Sequence, residues 1–144
     1  MVIETGVAHG FTTAAALQAL ADNQYGRLIS IDLPHLHPRA MDSIGSAVPH
    51  ELRDRWQLIL GSAAGSLMNL PRSDEADIFI QDAAHTIRGQ LAEFRAGWSR
   101  LREGGLLISD DVGEAAVRFG REVDAAPIFI AQPPKVLPMA IIRR

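Results

Sequence analysis

Short, continuously apolar runs alternate along this chain with stretches whose apolar residues fall at helical spacing. Val2–Thr5 reads as a buried strand, residues 12–22 as an Ala- and Leu-rich helix, and residues 23–26 as its stop. Residues 27–32 form a second predicted strand. Pro34 and Pro38 bracket a loop, and residues 39–55 read as an amphipathic helix interrupted by Gly45 and Pro49. The pattern then predicts a strand over 56–60, a short helix over 63–69, a polar turn over 71–74 and a strand over 76–81. Residues 88–102 carry the clearest helical signal, with Leu91, Phe94, Trp98 and Leu101 on one face and Gly104-Gly105 as the stop. A strand over 106–109, a helix over 113–123 and strands over 127–131 and 139–142 complete the chain.

Strands with helices between them imply an α/β fold with a doubly wound, mostly parallel sheet. Continuously apolar strands fit a sheet covered on both faces. Ligands in such folds sit beyond the carboxyl ends of the strands. That rule draws attention to Glu4, Asp32, Ser62, Asp82 and Asp110, each at or just past a predicted strand end. The stretch Glu4-Thr5-Gly6-Val7-Ala8-His9-Gly10 is the most telling, because it joins the first strand to the first helix. Glycine lets a ligand approach the main chain, and the amides opening the next helix favour negative charge. A tight strand-to-helix turn with an incidental acid is the plainer reading of the same residues.

Composition narrows the class. The 144 residues are 47% hydrophobic and 22% charged, as expected of one globular domain spanning 1–144. A formal net charge of −3 gives no basic footprint for nucleic acid. There is no cysteine, so disulfides, thiolate metal sites and a cysteine nucleophile are excluded. No apolar run is long enough for a membrane helix and the start lacks the zones of a signal peptide, so a cytoplasmic location with no membrane partner is expected.

The glycine spacing separates two cofactor classes. A nicotinamide-dinucleotide loop wants G-x-G-x-x-G, and Gly6, Ala8 and Phe11 satisfy only its first position. The pattern E-x-G-x-x-x-G is met by Glu4, Gly6 and Gly10. With it the sequence resembles class I S-adenosylmethionine (SAM) dependent methyltransferases. The stretches 77–86 (DIFIQDAAHT) and 98–111 (WSRLREGGLLISDD) resemble small-molecule O-methyltransferases, of the macrocin-type, cephalosporin-hydroxylase-like and catechol-type neighbourhood. The resemblance implies a Rossmann-like seven-stranded sheet with an antiparallel last strand. It implies SAM as cofactor, held by Glu4, Gly6, Gly10, Thr12, Asp32, Ser62, Ala63 and Asp82. Asp32 is expected to hold the ribose hydroxyls, or else to be a solvated strand-end acid. Gly61-Ser62-Ala63 stands where many relatives have a Gly-Asp pair near the adenine, which weakens that contact.

Asp82, Asp110 and Asp111 follow two strands expected to be neighbours. Three converging carboxylates repel, and without a cation at least one should titrate high. Mg²⁺ would relieve this and could activate a hydroxyl, as the resemblance implies for metal-dependent members. Alternatively, Asp110-Asp111 caps the following helix, and Asp82 caps the helix after Thr86 or pairs with Arg88. His85 reads as a general base, a metal-site neighbour or a hydrogen-bonded structural histidine. Ile87 stands where relatives often carry a tyrosine. His35 and His37 read as solvated loop residues, with metal binding the weaker alternative, His9 as lining the SAM pocket, and Trp56, Trp98 and Met68 as packing residues.

The helices that precede the first strand in relatives are not found here, so the expected acceptor pocket is shallow, completed by a second copy or absent. The expected activity is methyl transfer to a hydroxyl of a small molecule, with a homodimer as a further expectation. The alternatives are a non-catalytic or truncated SAM-binding module and, more weakly, a nicotinamide-dinucleotide-binding domain.

Overall fold

The structure, a computed structural model, describes residues 1–34, 41–71 and 73–144. His35 and His37, the start of the predicted 39–55 helix and Pro38 lie outside the described residues.

β1 (Val2–Thr5) lies at the centre of the sheet because all four of its side chains are buried. It pairs in parallel with β2 (Leu28–Asp32) on one side and β4 (Ala76–Gln81) on the other, with Thr5 opposite Ile31 and Gln81. β3 (Trp56–Leu60) pairs with β2, and β5 (Leu101–Ser109) with β4, again in parallel. β7 (Met139–Arg143) runs antiparallel to β5, and β6 (Ile128–Ile130) antiparallel to β7. The seven strands therefore lie in the order β3-β2-β1-β4-β5-β7-β6.

Helices cover both faces. α1 (Phe11–Asp22) and a 3-10 turn at His50–Arg55 bury Leu17, Val48 and Leu52 against Val2 and Leu28. On the other face α2 (Ala63–Asn69), α3 (Ile87–Trp98) and α4 (Glu114–Glu122) pack over Ile3, Ile31, Phe79, Leu107 and Ile142. Phe119 of α4 meets both Phe94 and Trp98 of α3, with ring centroids 5.5 and 5.4 Å apart. This is the doubly wound arrangement expected from the apolar runs.

Expectations about two helices, the Gly104 stop and Met68 are corrected. The described part of 39–55 is not one helix. Gly45 takes a left-handed φ of 68°, and the backbone N–H groups of Gly45 and Ala47 donate to the carbonyls of Ala8 and His9. The segment is thus tied to the glycine loop, and Arg53 lies 5.6 Å over the Trp56 ring. The helix predicted over 88–102 ends at Trp98, because Leu101 already pairs with Ala76 as the first residue of β5. The register shifts before Ile78 pairs with Leu106, and Gly104, at φ 76°, lies in that irregularity instead of stopping a helix. Met68 is 72% exposed and does not pack in the core. Trp56 packs beside α1 and also donates its indole N–H to Ser30 Oγ at 2.9 Å.

Candidate functional site

The carboxyl ends of β1, β2 and β4 converge on the loop from Gly6 to Gly10. Gly6 has φ 86°, and a Cβ there would stand 2.3 Å from the Asp82 carbonyl oxygen. Only glycine lets the loop lie against the end of β4. Gly10, also left-handed at φ 87°, opens α1 in a place where a Cβ would meet Gly45 Cα and Val48 at 2.9 Å. Ala8 shares the left-handed conformation at φ 47°, a strained choice for a residue with a Cβ.

Asp32 organises this loop. Its Oδ2 accepts hydrogen bonds from the backbone N–H groups of Val7 and Ala8, both at 2.9 Å, and its Oδ1 accepts from Leu33 N–H at 2.7 Å. Charge-assisted bonds of this kind are among the stronger ones a loop can have. Each oxygen keeps acceptor capacity for a further donor.

Beneath the loop lies a buried polar floor. Glu4 is fully buried, and its Oε2 accepts from Ser30 Oγ at 2.6 Å and Thr13 Oγ1 at 2.8 Å. Burial raises its pKa against the opposing effect of these hydroxyls. Its Oε1 is sealed from solvent without a protein partner. Thr5 Oγ1 donates to Glu93 Oε2 at 3.1 Å, and Ser109 Oγ donates to Gln81 Oε1 at 2.6 Å. Glu93 is likewise pushed up by burial. Thr13, Ser30 and Glu93 were missed by sequence reasoning. A polar residue one place from Thr12, or on the buried face of a helix, gives no signal until the tertiary contacts exist.

Two cavities open above this floor. One, of about 330 Å³, is lined by the loop from Gly6 through Thr12 together with Asp32, Leu33, Asp82 and Ala83. The other, of about 270 Å³, is walled largely by apolar groups, including Ile31, Leu33, Ala63 and Ala84, with Ser62 and Glu93 among its polar members. Asp32, Leu33 and Ala83 line both, so the two cavities adjoin. The structure therefore brings Gly6, Gly10, Thr12, Asp32, Ser62, Ala63 and Asp82 around one continuous hollow, places His9 on its wall, and puts Glu4 under it. A separate hollow of about 400 Å³ between Asp74, Glu75, Ser99 and Arg100 lies near the start of β4, away from these strand ends.

The acids at the ends of β4 and β5 are arranged differently from either expectation. Lys135, in the segment between β6 and β7, bonds Asp110 Oδ2 and lies 3.4 Å from Asp111 Oδ1. Gln132 Nε2 donates to Asp110 Oδ1 at 2.6 Å. Burial pushes the Asp110 carboxyl up, but the Lys135 and Gln132 hydrogen bonds outweigh it and hold the pKa below the usual value. Asp82 has no such partner; burial and then the Asp110 charge push it up to about 6, against His85 and Lys135. Asp111 sits at φ 47°, a left-handed conformation that aspartate tolerates better than most residues.

The donor set does not fit Mg²⁺. A hard divalent ion takes several free oxygen ligands, whereas both Asp110 oxygens already serve Gln132 and the Lys135 ammonium. Among the described residues no group of three His, Asp or Glu side chains could hold a metal. Nor do the acids cap helices: α4 has Gly113 as its N-cap with no side-chain cap, and α3 is capped by Thr86, whose Oγ1 accepts from Gly89 N–H at 3.1 Å. The signal for Lys135 was present in the sequence as the single lysine among 14 cationic residues. It lies 24 residues beyond Asp111, too far for a local motif to reveal. His85 is exposed and lines a further hollow of about 380 Å³ with Asp111, Lys135, Val136 and Leu137.

Solved structures with the same fold include cofactor-bound Rv0187 from MTB, at 17% identity and TM-score 0.74, covering 99% of this chain and 71% of that one. The O-methyltransferase from Bacillus cereus in complex with SAH has the same identity and TM-score, over 99% of this chain and 72% of its own. The O-methyltransferase NovP follows at 15% identity and TM-score 0.70, over 99% and 71%. No curated protein matches the chain. Residues 3–112 match the model of a methyltransferase domain family, and the chain belongs to that family.

Proposed function

We propose that this chain binds SAM and transfers its methyl group to a hydroxyl of a small molecule. The observation that carries the reading is the pair of adjoining cavities that meet at Asp32 over the glycine loop. Their linings suit different parts of the cofactor. On this reading the methionine end lies in the cavity at Gly6–Thr12, where backbone groups of the loop and Asp82 are at hand, the ribose diol meets the spare acceptor capacity of Asp32, and the adenine lies in the more apolar cavity beside Ala63 and Ser62. Glu4, buried under the glycine loop with Oε1 unpaired, supplies negative charge beneath the place proposed for the methionine ammonium.

When bound, SAM supplies an electrophilic methyl group on a positively charged sulfur. The chain's own task is to hold an acceptor hydroxyl and take its proton. His85 is exposed in the hollow beside Asp111 and Lys135, where it can receive that proton. No metal step enters, because Asp110 and Asp111 already face Lys135.

The structures of Bacillus cereus O-methyltransferase and NovP, both O-methyltransferases by name, support the choice of oxygen as acceptor. The test is transfer of labelled methyl from SAM to a panel of phenolic, catecholic and sugar hydroxyls. We expect turnover with at least one class, and a loss in kcat of about 10²-fold or more in His85→Ala with SAM affinity unchanged. SAM binding without turnover on any acceptor would identify a non-catalytic binding module instead.

A homodimer remains part of the proposal. Ile128, Phe129 and Ile130 are exposed at the β6 edge, with Ile78 and Ile80 only half-buried on the α1 side of the sheet. Sedimentation equilibrium at twice the chain mass is the expected result.

A further inference from the structure

The segment between β6 and β7 brings one ammonium to the acids that follow β4 and β5. Lys135 contacts Asp110 and Asp111, and Asp82 lies close enough to feel its charge together with theirs. Gln132 fixes Asp110 from the same segment. An ammonium has three N–H donors. Two can serve Asp110 and Asp111; Lys135 is 43% exposed and lines a hollow with His85, Val136 and Leu137, so a further donor remains for a ligand there. Val136 is 97% exposed, so this hollow is open to an incoming molecule.

We propose that Lys135 is the resident cation of this acid cluster, occupying electrostatically the place of a divalent ion, and that its remaining N–H positions the acceptor oxygen beside His85. The acceptor half rests on the methyl-transfer reading above; the cation half does not. Lysine is suited to the role because its charge is compact and its donors rotate about a flexible stem. A small acceptor with one hydroxyl on an apolar body fits a hollow that pairs Lys135 and His85 with Val136 and Leu137. Lys135 is then a positioning residue, with His85 as the proton acceptor.

The test uses Mn²⁺ as probe, its free signal followed by electron paramagnetic resonance, on the full chain and on Lys135→Gln and Lys135→Arg. Glutamine removes the charge and leaves the carboxylates uncompensated, so Lys135→Gln should bind Mn²⁺ at least about tenfold more tightly than the unsubstituted protein. Lys135→Arg should bind it no better. Equal Mn²⁺ affinity in the unsubstituted protein and Lys135→Gln, or binding in neither, would overturn the cation assignment. Calorimetric SAM titration of the same samples separates this from the methyltransferase reading, because Lys135 lines neither cofactor cavity and SAM affinity should not move. Once an acceptor is known, Lys135→Gln should raise its KM more than it lowers kcat; an unchanged KM would remove the acceptor half.

Discussion

Asp82 carries the sharpest residue-level consequence. Its carboxyl titrates near 6 in the folded protein, chiefly through burial and then through the Asp110 charge, against an ordinary value of 3.8. Between those two values the folded state keeps a proton that the unfolded state has released, so this residue makes stability fall as pH rises through the window. Above the folded value the full penalty applies. Two units correspond to about 3 kcal/mol, and solvent screening of a half-exposed group reduces that to roughly 1–2 kcal/mol. Asp82→Asn should therefore stabilise the protein by that amount at about pH 8 and by nothing below about pH 3.8. Urea unfolding in metal-free buffer reads both, and an equal gain at the two pH values would contradict the account. Asp82, Asp110 and Asp111 were legible from their strand-end positions and from the repulsion expected among them. What relieves that repulsion was not, because the pairing with Lys135 exists only once β6 and β7 have folded back beside β5.

At the scale of elements, α3 shows both what periodicity can read and where it stops. Leu91 and Phe94 are buried at the predicted spacing. Leu101 continues the spacing but not the helix, since an apolar residue one turn on serves a strand equally well, and pairing with Ala76 decides the matter. The same helix packs tightly on β4 through Gly97, where a Cβ would stand 2.2 Å from the Phe79 ring. Helical propensity favours Gly97→Ala, but Phe79 is fully buried and has little room to move. The clash should prevail, and Gly97→Ala should destabilise by about 1–3 kcal/mol, measured by thermal or urea unfolding; a gain in stability would show that α3 can shift outward. The 39–55 segment marks the opposite limit. Its amphipathic pattern is real, but Gly45 and Ala47 hold the glycine loop by their backbone N–H groups, and an unbroken helix would have committed those donors internally.

Across the whole molecule, the strand order β3-β2-β1-β4-β5-β7-β6 places the ends of β1, β2 and β4 around one hollow and the acids of β4 and β5 beside it. The alternation of apolar runs conveyed this layout, and Glu4, Gly6, Gly10 and Asp32 pointed to the methyltransferase family that residues 3–112 match. The buried layer of Thr5, Thr13, Ser30, Gln81, Glu93 and Ser109 stayed hidden, since polar residues inside apolar elements reveal their partners only in three dimensions. Among the described residues no helix is long and apolar enough to cross a membrane. On the function proposed above, the hollow at Asp32 binds SAM without a divalent ion. Calorimetric titration with SAM and with NAD, each in Mg²⁺ and in chelator, tests it most directly. We expect one SAM per chain with the same affinity in both buffers, at least about tenfold weaker binding in Asp32→Ala, and no heat from NAD. Heat from NAD without heat from SAM, or SAM binding that requires Mg²⁺, would contradict it.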